Sequence, residues 1–112
     1  MDKYLLIKNI FIENENKEKA KSMAKYMKNK FAFYGLSAPD RKKLYQQFLK
    51  DEKKNKSIDW HFLDLCYQDK YREFQYLVCD YLRAFKKYLS YDDIFNLIIN
   101  EIPEPNANPD GN

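Results

Sequence analysis

A chain of 112 residues that is 45% hydrophobic and 17% aromatic can fold as one domain but is too short for two independent cores. Its two glycines and four prolines leave few residues for the tight turns of a sheet, so we expect an all-α protein. The net charge of +3 hides an asymmetry, because residues 17–56 hold 13 Lys or Arg against 4 Asp or Glu and the rest holds 7 against 13. One end of the molecule is therefore a candidate surface for a polyanion.

The start of the chain and its cysteines bear on compartment and ligands. The first residues, MDKYLLIKNIFIENEN, carry an early acid and a short, broken apolar run, unlike a signal peptide. No segment approaches the apolar length that spans a bilayer. Cys66 and Cys79 stand outside any zinc-ligand pattern, and His61 is the single histidine. We expect a cytoplasmic protein with reduced thiols, no membrane partner and no metal site.

The first three predicted helices carry most of the basic residues. Helix one covers about residues 2–12, and helix two begins behind Asn16 and runs to the turn around Gly35. Gly35 suits the left-handed position that ends a helix. The sequence SAPD opens helix three, with Ser37 as its cap and Pro39 in its first turn. The buried stripe of helix three is predicted at Leu44, Tyr45, Phe48 and Leu49.

The second half of the chain is more acidic and more apolar. The Lys-rich KDEKKNKS is predicted as a loop, followed by a short helix four behind Ser57 or Asp59. Helix six starts at the capping box SYDD, and residues 103–112 are predicted to be a disordered tail. Helix five has the clearest apolar stripe, consisting of Phe74, Leu77, Val78, Tyr81, Leu82 and Phe85.

Six such helices with short links form either a bundle or a solenoid of antiparallel helical pairs. Sequence self-similarity is too weak to decide between them. The strongly apolar helices five and six have no further element to cover them, which favours a solenoid that is open at its C-terminal end.

The lysines of helices two and three are the strongest functional signal from the residues themselves. They could neutralise phosphates and release counterions, and we expect them to converge on one shallow trough. The alternative is a solvated face without a partner. Tyr26 lies among these lysines and off the apolar stripe, so it could stack on a nucleic acid. No nucleophile with a base, glycine-rich phosphate loop or metal set is visible, so the residues alone indicate no active site.

Three quoted stretches together carry a family resemblance. They are YMKN at residues 26–29, FAFYGLSAPDR at residues 31–41 and REFQ at residues 72–75. This combination resembles the AlkD-like family of DNA alkylation repair enzymes over roughly residues 17–88. The resemblance implies a HEAT-like solenoid whose concave basic face holds duplex DNA. It also implies hydrolysis of the glycosidic bond of cationic purines such as N7-methylguanine and N3-methyladenine, without a cofactor or metal.

Two departures from the family pattern limit what is carried over. The family's Trp-Trp-Asp motif would follow helix six, where this chain reads NEIPEPNANPDGN, and Trp60 is its single tryptophan. We therefore predict residues 1–102 to be the N-terminal, DNA-binding half of such a fold and assign no catalytic residue. Some relatives carry a glutamine near DNA at the position of Ser37, whose side chain reaches less far.

The predicted contacts to the DNA backbone are Tyr26, Lys28, Lys30, Ser37, Arg41 and Lys42. The competing hypothesis is a non-catalytic scaffold. In that case the open apolar edge of helices five and six would bind a second copy of the chain or another protein.

Overall fold

The computed structural model describes residues 2–96, and within that range the protein is all-α, as predicted. A short 3₁₀ helix, Lys86–Tyr88, precedes the last of six α-helices. The α-helices are α1 (Lys3–Glu13), α2 (Lys17–Tyr26), α3 (Ala38–Lys53), α4 (Trp60–Tyr67), α5 (Arg72–Ala84) and α6 (Tyr91–Asn96). Among the described residues the β-type pairing consists of one isolated parallel bridge between Ala32 and Tyr71. The predicted tail and the end of the domain at residue 102 lie outside the described residues.

Helix starts follow the capping residues of the sequence. The side chain of Asn16 accepts from the backbone N–H of Lys19 at 3.0 Å, and Asp59, rather than Ser57, caps α4. Ser90 and Asp93 exchange side-chain-to-backbone hydrogen bonds of 3.0 Å, so the predicted capping box is present. These bonds satisfy N–H groups that a helix leaves without partners in its first turn.

The end of α2 differs from the prediction. The helix ends at Tyr26, and Lys28 and Asn29 follow with φ of 57° and 58°. The backbone N–H of Asn29 donates to the carbonyl of Ala24 at 2.7 Å, a bond typical of a helix that closes through a left-handed residue. The chain then runs extended towards α3 instead of continuing the helix to Gly35.

Gly35 has a different role from the predicted helix end. Its φ is 88°, and a Cβ there would lie 2.0 Å from the carbonyl oxygen of Asn16 and 2.7 Å from the backbone nitrogen of Ala20. The backbone N–H of Asn16 donates to the carbonyl of Tyr34 at 2.8 Å. Gly35 therefore lets the start of α2 pack directly against the extended segment, which a side chain would prevent.

A buried carboxylate holds this extended segment. Glu73, in the first turn of α5, is 0% exposed, and its two oxygens accept the backbone N–H groups of Tyr34, Gly35 and Leu36 at 3.0, 3.0 and 3.2 Å. Beside it, the N–H of Arg72 donates to the carbonyl of Ala32 at 2.9 Å. A buried charge is tolerated when it is fully hydrogen-bonded, and the positive end of α5 favours it further.

The core surrounds α5, whose apolar stripe is as predicted except that Leu82 is only partly buried. α3 and α4 pack against α5, and α1 packs against both of them. α2 buries none of its residues and sits outside this group. Thirteen buried side chains form the core: Ile7, Phe11, Tyr34, Leu36, Tyr45, Phe62, Leu63, Cys66, Phe74, Leu77, Val78, Tyr81 and Phe85.

α3 continues four residues further than predicted, through Lys53, so that the loop begins at Lys54. Its last turn is held by Lys3, whose Nζ lies 2.8 Å from both Glu52 Oε1 and Asp59 Oδ2. Burial alone would raise the pKa of Asp59, but the hydrogen bonds from Lys3 and the Phe62 backbone leave it lowered. This ion-pair cluster joins α1, α3 and α4 at one end of the molecule.

We predict that Glu73→Gln lowers the free energy of unfolding by about 3 kcal/mol, because the amide NH₂ would face buried N–H donors. Urea unfolding at pH 7, followed by circular dichroism, measures the change. Glu13→Gln makes the same chemical change at the exposed end of α1 and should stay within about 0.5 kcal/mol of the wild type. Equal stabilities for the two variants would contradict the role assigned to Glu73.

Candidate nucleic-acid interface

Eight lysines on α2, on the turn after it and on the first turns of α3 are exposed. None of them forms an ion pair with another of the described residues. They are Lys17, Lys19, Lys21, Lys25, Lys28, Lys30, Lys42 and Lys43. Because no carboxylate of residues 2–96 neutralises them, these lysines are available to a polyanion.

Two of the predicted contact residues lie at the ends of helices. Tyr26 is the last residue of α2 and is 86% exposed, which confirms that it stands off the core. Ser37 caps α3, where its Oγ accepts from the backbone N–H of Asp40 at 3.4 Å. The hydroxyl of Ser37 thus has a structural role and is only partly exposed.

Arg41 requires a correction, because it is not a free surface cation. Its side chain is 7% exposed, its Nε donates to Tyr45 Oη at 2.9 Å, and its Nη2 lies 3.6 Å from Asp80 Oδ2. The guanidinium also stacks over the ring of Tyr76, 4.7 Å from the centroid. Helical periodicity places Arg41 beside Lys42, but the packing of α3 on α5 turns it inward against a carboxylate.

The outward face of α5 is a part of the surface that the sequence reasoning missed. Arg72, Tyr76, Cys79 and Arg83 follow one another at i, i+4, i+7 and i+11, opposite the buried stripe. We call these four residues the α5 stripe. The guanidinium of Arg72 lies 4.3 Å from the ring centroid of Phe31 and 5.4 Å from that of Tyr76. The spacing of these arginines and the tyrosine was visible in the sequence, but the sequence analysis interpreted only the buried face of the helix.

The ring of Tyr76 therefore lies near two guanidinium groups, those of Arg41 and Arg72. Cation–π contacts of this kind fix an arginine that would otherwise be mobile. Asp80 holds the next part of the same face, since it accepts from the Tyr45 hydroxyl and from Arg83 Nη1, the latter at 3.0 Å. Arg72, Tyr76 and Arg83 of the α5 stripe are thus each held by a ring contact or an ion pair, whereas the eight exposed lysines form no ion pair with the described residues.

Depressions of different composition divide the basic residues. One, of about 620 Å³, lies between the turn after α2 and the α4–α5 junction and includes Lys30, Lys70 and Arg72. Another, of about 420 Å³, lies between α3 and α5. Its lining residues are Lys42, Tyr45, Gln46, Leu49, Lys50, Lys53, Asp80, Arg83 and Ala84.

A further depression of about 260 Å³ is lined by Lys19 of α2 together with Lys43 and Asp40 of α3. The sequence analysis predicted that the lysines of α2 and α3 converge on one trough. This prediction was wrong, because they line separate depressions. Lys30 and Lys42 line separate depressions, the first together with Arg72 and the second together with Arg83.

Most residues of the REFQ stretch have a structural role. Glu73 holds the extended segment, and Phe74 is fully buried. Gln75 Nε2 donates to the carbonyls of Tyr67 and Asp69 at 2.9 and 2.6 Å, at the end of α4. Arg72 and Gln75 both line a depression, but the Gln75 amide nitrogen is already engaged by those carbonyls. The motif therefore fixes the α4–α5 junction and offers one cation to the surface.

Two features that would indicate other functions are absent from the described part of the chain. Residues 2–96 contain no group of three or more His, Cys, Asp or Glu side chains that could hold a metal ion. No helix among them is long and apolar enough to cross a membrane.

The fold and this surface define a small all-α protein with eight exposed lysines on α2, the turn after it and α3, and with an arginine-tyrosine stripe on α5. Residues 7–106 match the family model described as DNA alkylation repair enzyme. The chain belongs to that family, as the resemblance in the sequence indicated. No curated protein and no solved structure matches the chain significantly.

We predict one reactive thiol in the native protein. Cys79 is exposed on the α5 stripe, whereas burial raises the pKa of Cys66 to about 12 and shields its sulfur. A disulfide reagent at pH 8 should modify one thiol rapidly, and two in urea. Cys79→Ser should remove the fast reaction, and a fast reaction that persists in this variant would contradict the burial of Cys66.

Proposed function

We propose that this protein binds duplex DNA through backbone contacts, as part of the repair of alkylated bases. The observation that carries the proposal is the set of eight exposed, unpaired lysines on α2, the turn after it and the start of α3, in a member of the DNA alkylation repair family. The resemblance of the three quoted motifs to AlkD-like enzymes supports a HEAT-like arrangement of the helices and cationic purines, such as N7-methylguanine and N3-methyladenine, as the lesions.

The physical basis is the release of counterions from DNA. Each lysine that neutralises a phosphate increases the magnitude of the slope of log K against log salt by about 0.9, so affinity falls steeply as salt rises. Lys30 and Lys42 line separate depressions at the two ends of the α5 stripe, which suits a ligand with two rows of phosphates. Tyr26, Lys28, Lys30, Ser37 and Lys42 are the proposed backbone contacts.

Arg41 has a supporting role in this proposal. Its guanidinium pairs with Asp80 and stacks on Tyr76, so it fixes the ring of Tyr76 in the stripe. Removal of Arg41 would leave the buried Asp80 carboxylate with less compensation and would act on stability as well as binding. Arg41 is for this reason a poor choice for testing DNA contact.

The lesion class follows from chemistry that the resemblance implies. A purine alkylated at N7 or N3 carries a positive charge and is already a good leaving group, so a nearby carboxylate suffices to stabilise the developing charge on the sugar. We assign no residue of 2–96 to that step. The carboxylates of Glu73 and Asp80 are both occupied by structural hydrogen bonds.

We predict that the triple variant Lys28→Gln, Lys30→Gln and Lys42→Gln weakens binding to a fluorescent duplex and lowers the salt slope by about 3. Fluorescence anisotropy at salt concentrations from about 25 to 200 mM measures both the affinity and the salt slope. The effect should be similar for duplexes of different sequence, because phosphates carry no sequence information.

The matched control removes three positive charges elsewhere. Lys54→Gln, Lys56→Gln and Lys86→Gln change exposed lysines of the α3–α4 loop and the 3₁₀ helix. An equal loss of affinity in both triple variants would show that net charge alone drives binding. Binding that does not depend on salt would contradict the proposal as a whole.

A further inference from the structure

The depression between the turn after α2 and the α4–α5 junction is enriched in cations. Lys30 enters it from the turn, Lys70 from the junction and Arg72 from the start of α5. The acidic residue in its lining is Asp69. Both Asp69 oxygens are occupied, since they accept the backbone N–H of Tyr71, at 2.8 Å, and the hydroxyl of Tyr4. The depression therefore has an excess of positive charge.

Arg72 is held in place without using its hydrogen-bond donors. Its guanidinium is fixed over the ring of Phe31 and near that of Tyr76, at 4.3 and 5.4 Å. It forms no ion pair and no side-chain hydrogen bond with any described residue, and its Nε is buried without a partner. A partly buried guanidinium ordinarily has such partners, because its five N–H groups are costly to desolvate.

Arg41 shows what a satisfied arginine looks like in the same protein. It stacks on the same Tyr76 ring, but its Nε donates to Tyr45 and its Nη2 pairs with Asp80. The nearest acidic neighbour of Arg72 in sequence, Glu73, is turned into the core towards the N–H groups of residues 34–36. Arg72 is thus an ordered cation whose partner is missing from residues 2–96.

We propose that this depression binds one phosphate group of a duplex backbone, with Arg72 as its fixed donor. The planar guanidinium would donate through its terminal nitrogens, and Lys30 and Lys70 would close on the same anion as mobile charges. We assign a backbone phosphate rather than an isolated one because Arg72 also begins the α5 stripe, next to the basic elements proposed above to bind DNA. The proposal rests on the DNA-binding function proposed above.

The test compares Arg72→Gln with Lys86→Gln in the full chain. Both variants remove one positive charge, but Lys86 is an exposed residue of the 3₁₀ helix, outside the α5 stripe and outside the lining of the depression. For Arg72→Gln we expect duplex affinity to fall about tenfold and the salt slope to fall by about one. Lys86→Gln should change affinity less than about threefold. Circular dichroism and the melting temperature confirm that each variant is folded.

Arg72→Lys provides a readout of geometry. The charge remains, so the salt slope should be unchanged, but affinity should fall about threefold because an ammonium lacks the planar fork. If Arg72→Gln binds DNA as tightly as Lys86→Gln does, the assignment of Arg72 is overturned. If Arg72→Lys binds as tightly as the wild type, the fixed fork is overturned and a simple charge remains.

An independent arm uses inorganic phosphate in place of DNA. The Arg72 Nε–H resonance in a ¹⁵N spectrum should move on addition of phosphate and stay unmoved by chloride at equal ionic strength. Movement with phosphate in a protein that does not bind duplex would overturn the backbone assignment and the proposed function, leaving a site for a small phosphate compound. An unmoved resonance with both phosphate and duplex would overturn the site itself.

Discussion

The carboxylate of Glu73 determines how the two halves of this protein meet. It is fully buried and accepts three consecutive backbone N–H groups from residues 34–36, which belong to a segment with little regular structure of its own. That segment in turn fixes the start of α2 through Gly35 and leads directly into α3. Without the charge, three buried donors would lose their acceptor, and the basic elements would lose their position relative to α5.

The surface that results combines two kinds of cation. The lysines of α2 and α3 are long, exposed and unpaired, so they are available to a polyanion mainly through their charge. The arginines of the second kind, Arg41 and Arg72, are ordered by aromatic rings. One of them stabilises the packing of α3 on α5, and the other keeps its donors free. A rigid centre with a mobile periphery is suited to a ligand that is recognised by shape and charge.

Individual elements show how far the sequence could be read. The caps of α2, α3 and α4, the apolar stripe of α5 and the capping box at Ser90 are local features, and the structure has them as predicted. The predicted end of α2 was wrong. The two residues with left-handed backbone that follow the helix, Lys28 and Asn29, are not glycines, so the sequence gives no signal for the turn. Among the candidate site residues, Tyr26 and the lysines are exposed as expected, whereas Arg41 is buried and Arg72 was read only as part of a motif.

The sequence by itself determined the all-α class, the order of the helices, the charge asymmetry and the family, since each depends on neighbouring residues or on short motifs. Only the tertiary structure decided which cations are free and which are neutralised. Arg41 and Arg72 differ because one faces Asp80 across a helix contact while the carboxylate next to the other, Glu73, is bound by a distant backbone segment. Such pairings join residues 35 or more positions apart, and helical periodicity contains no information about them.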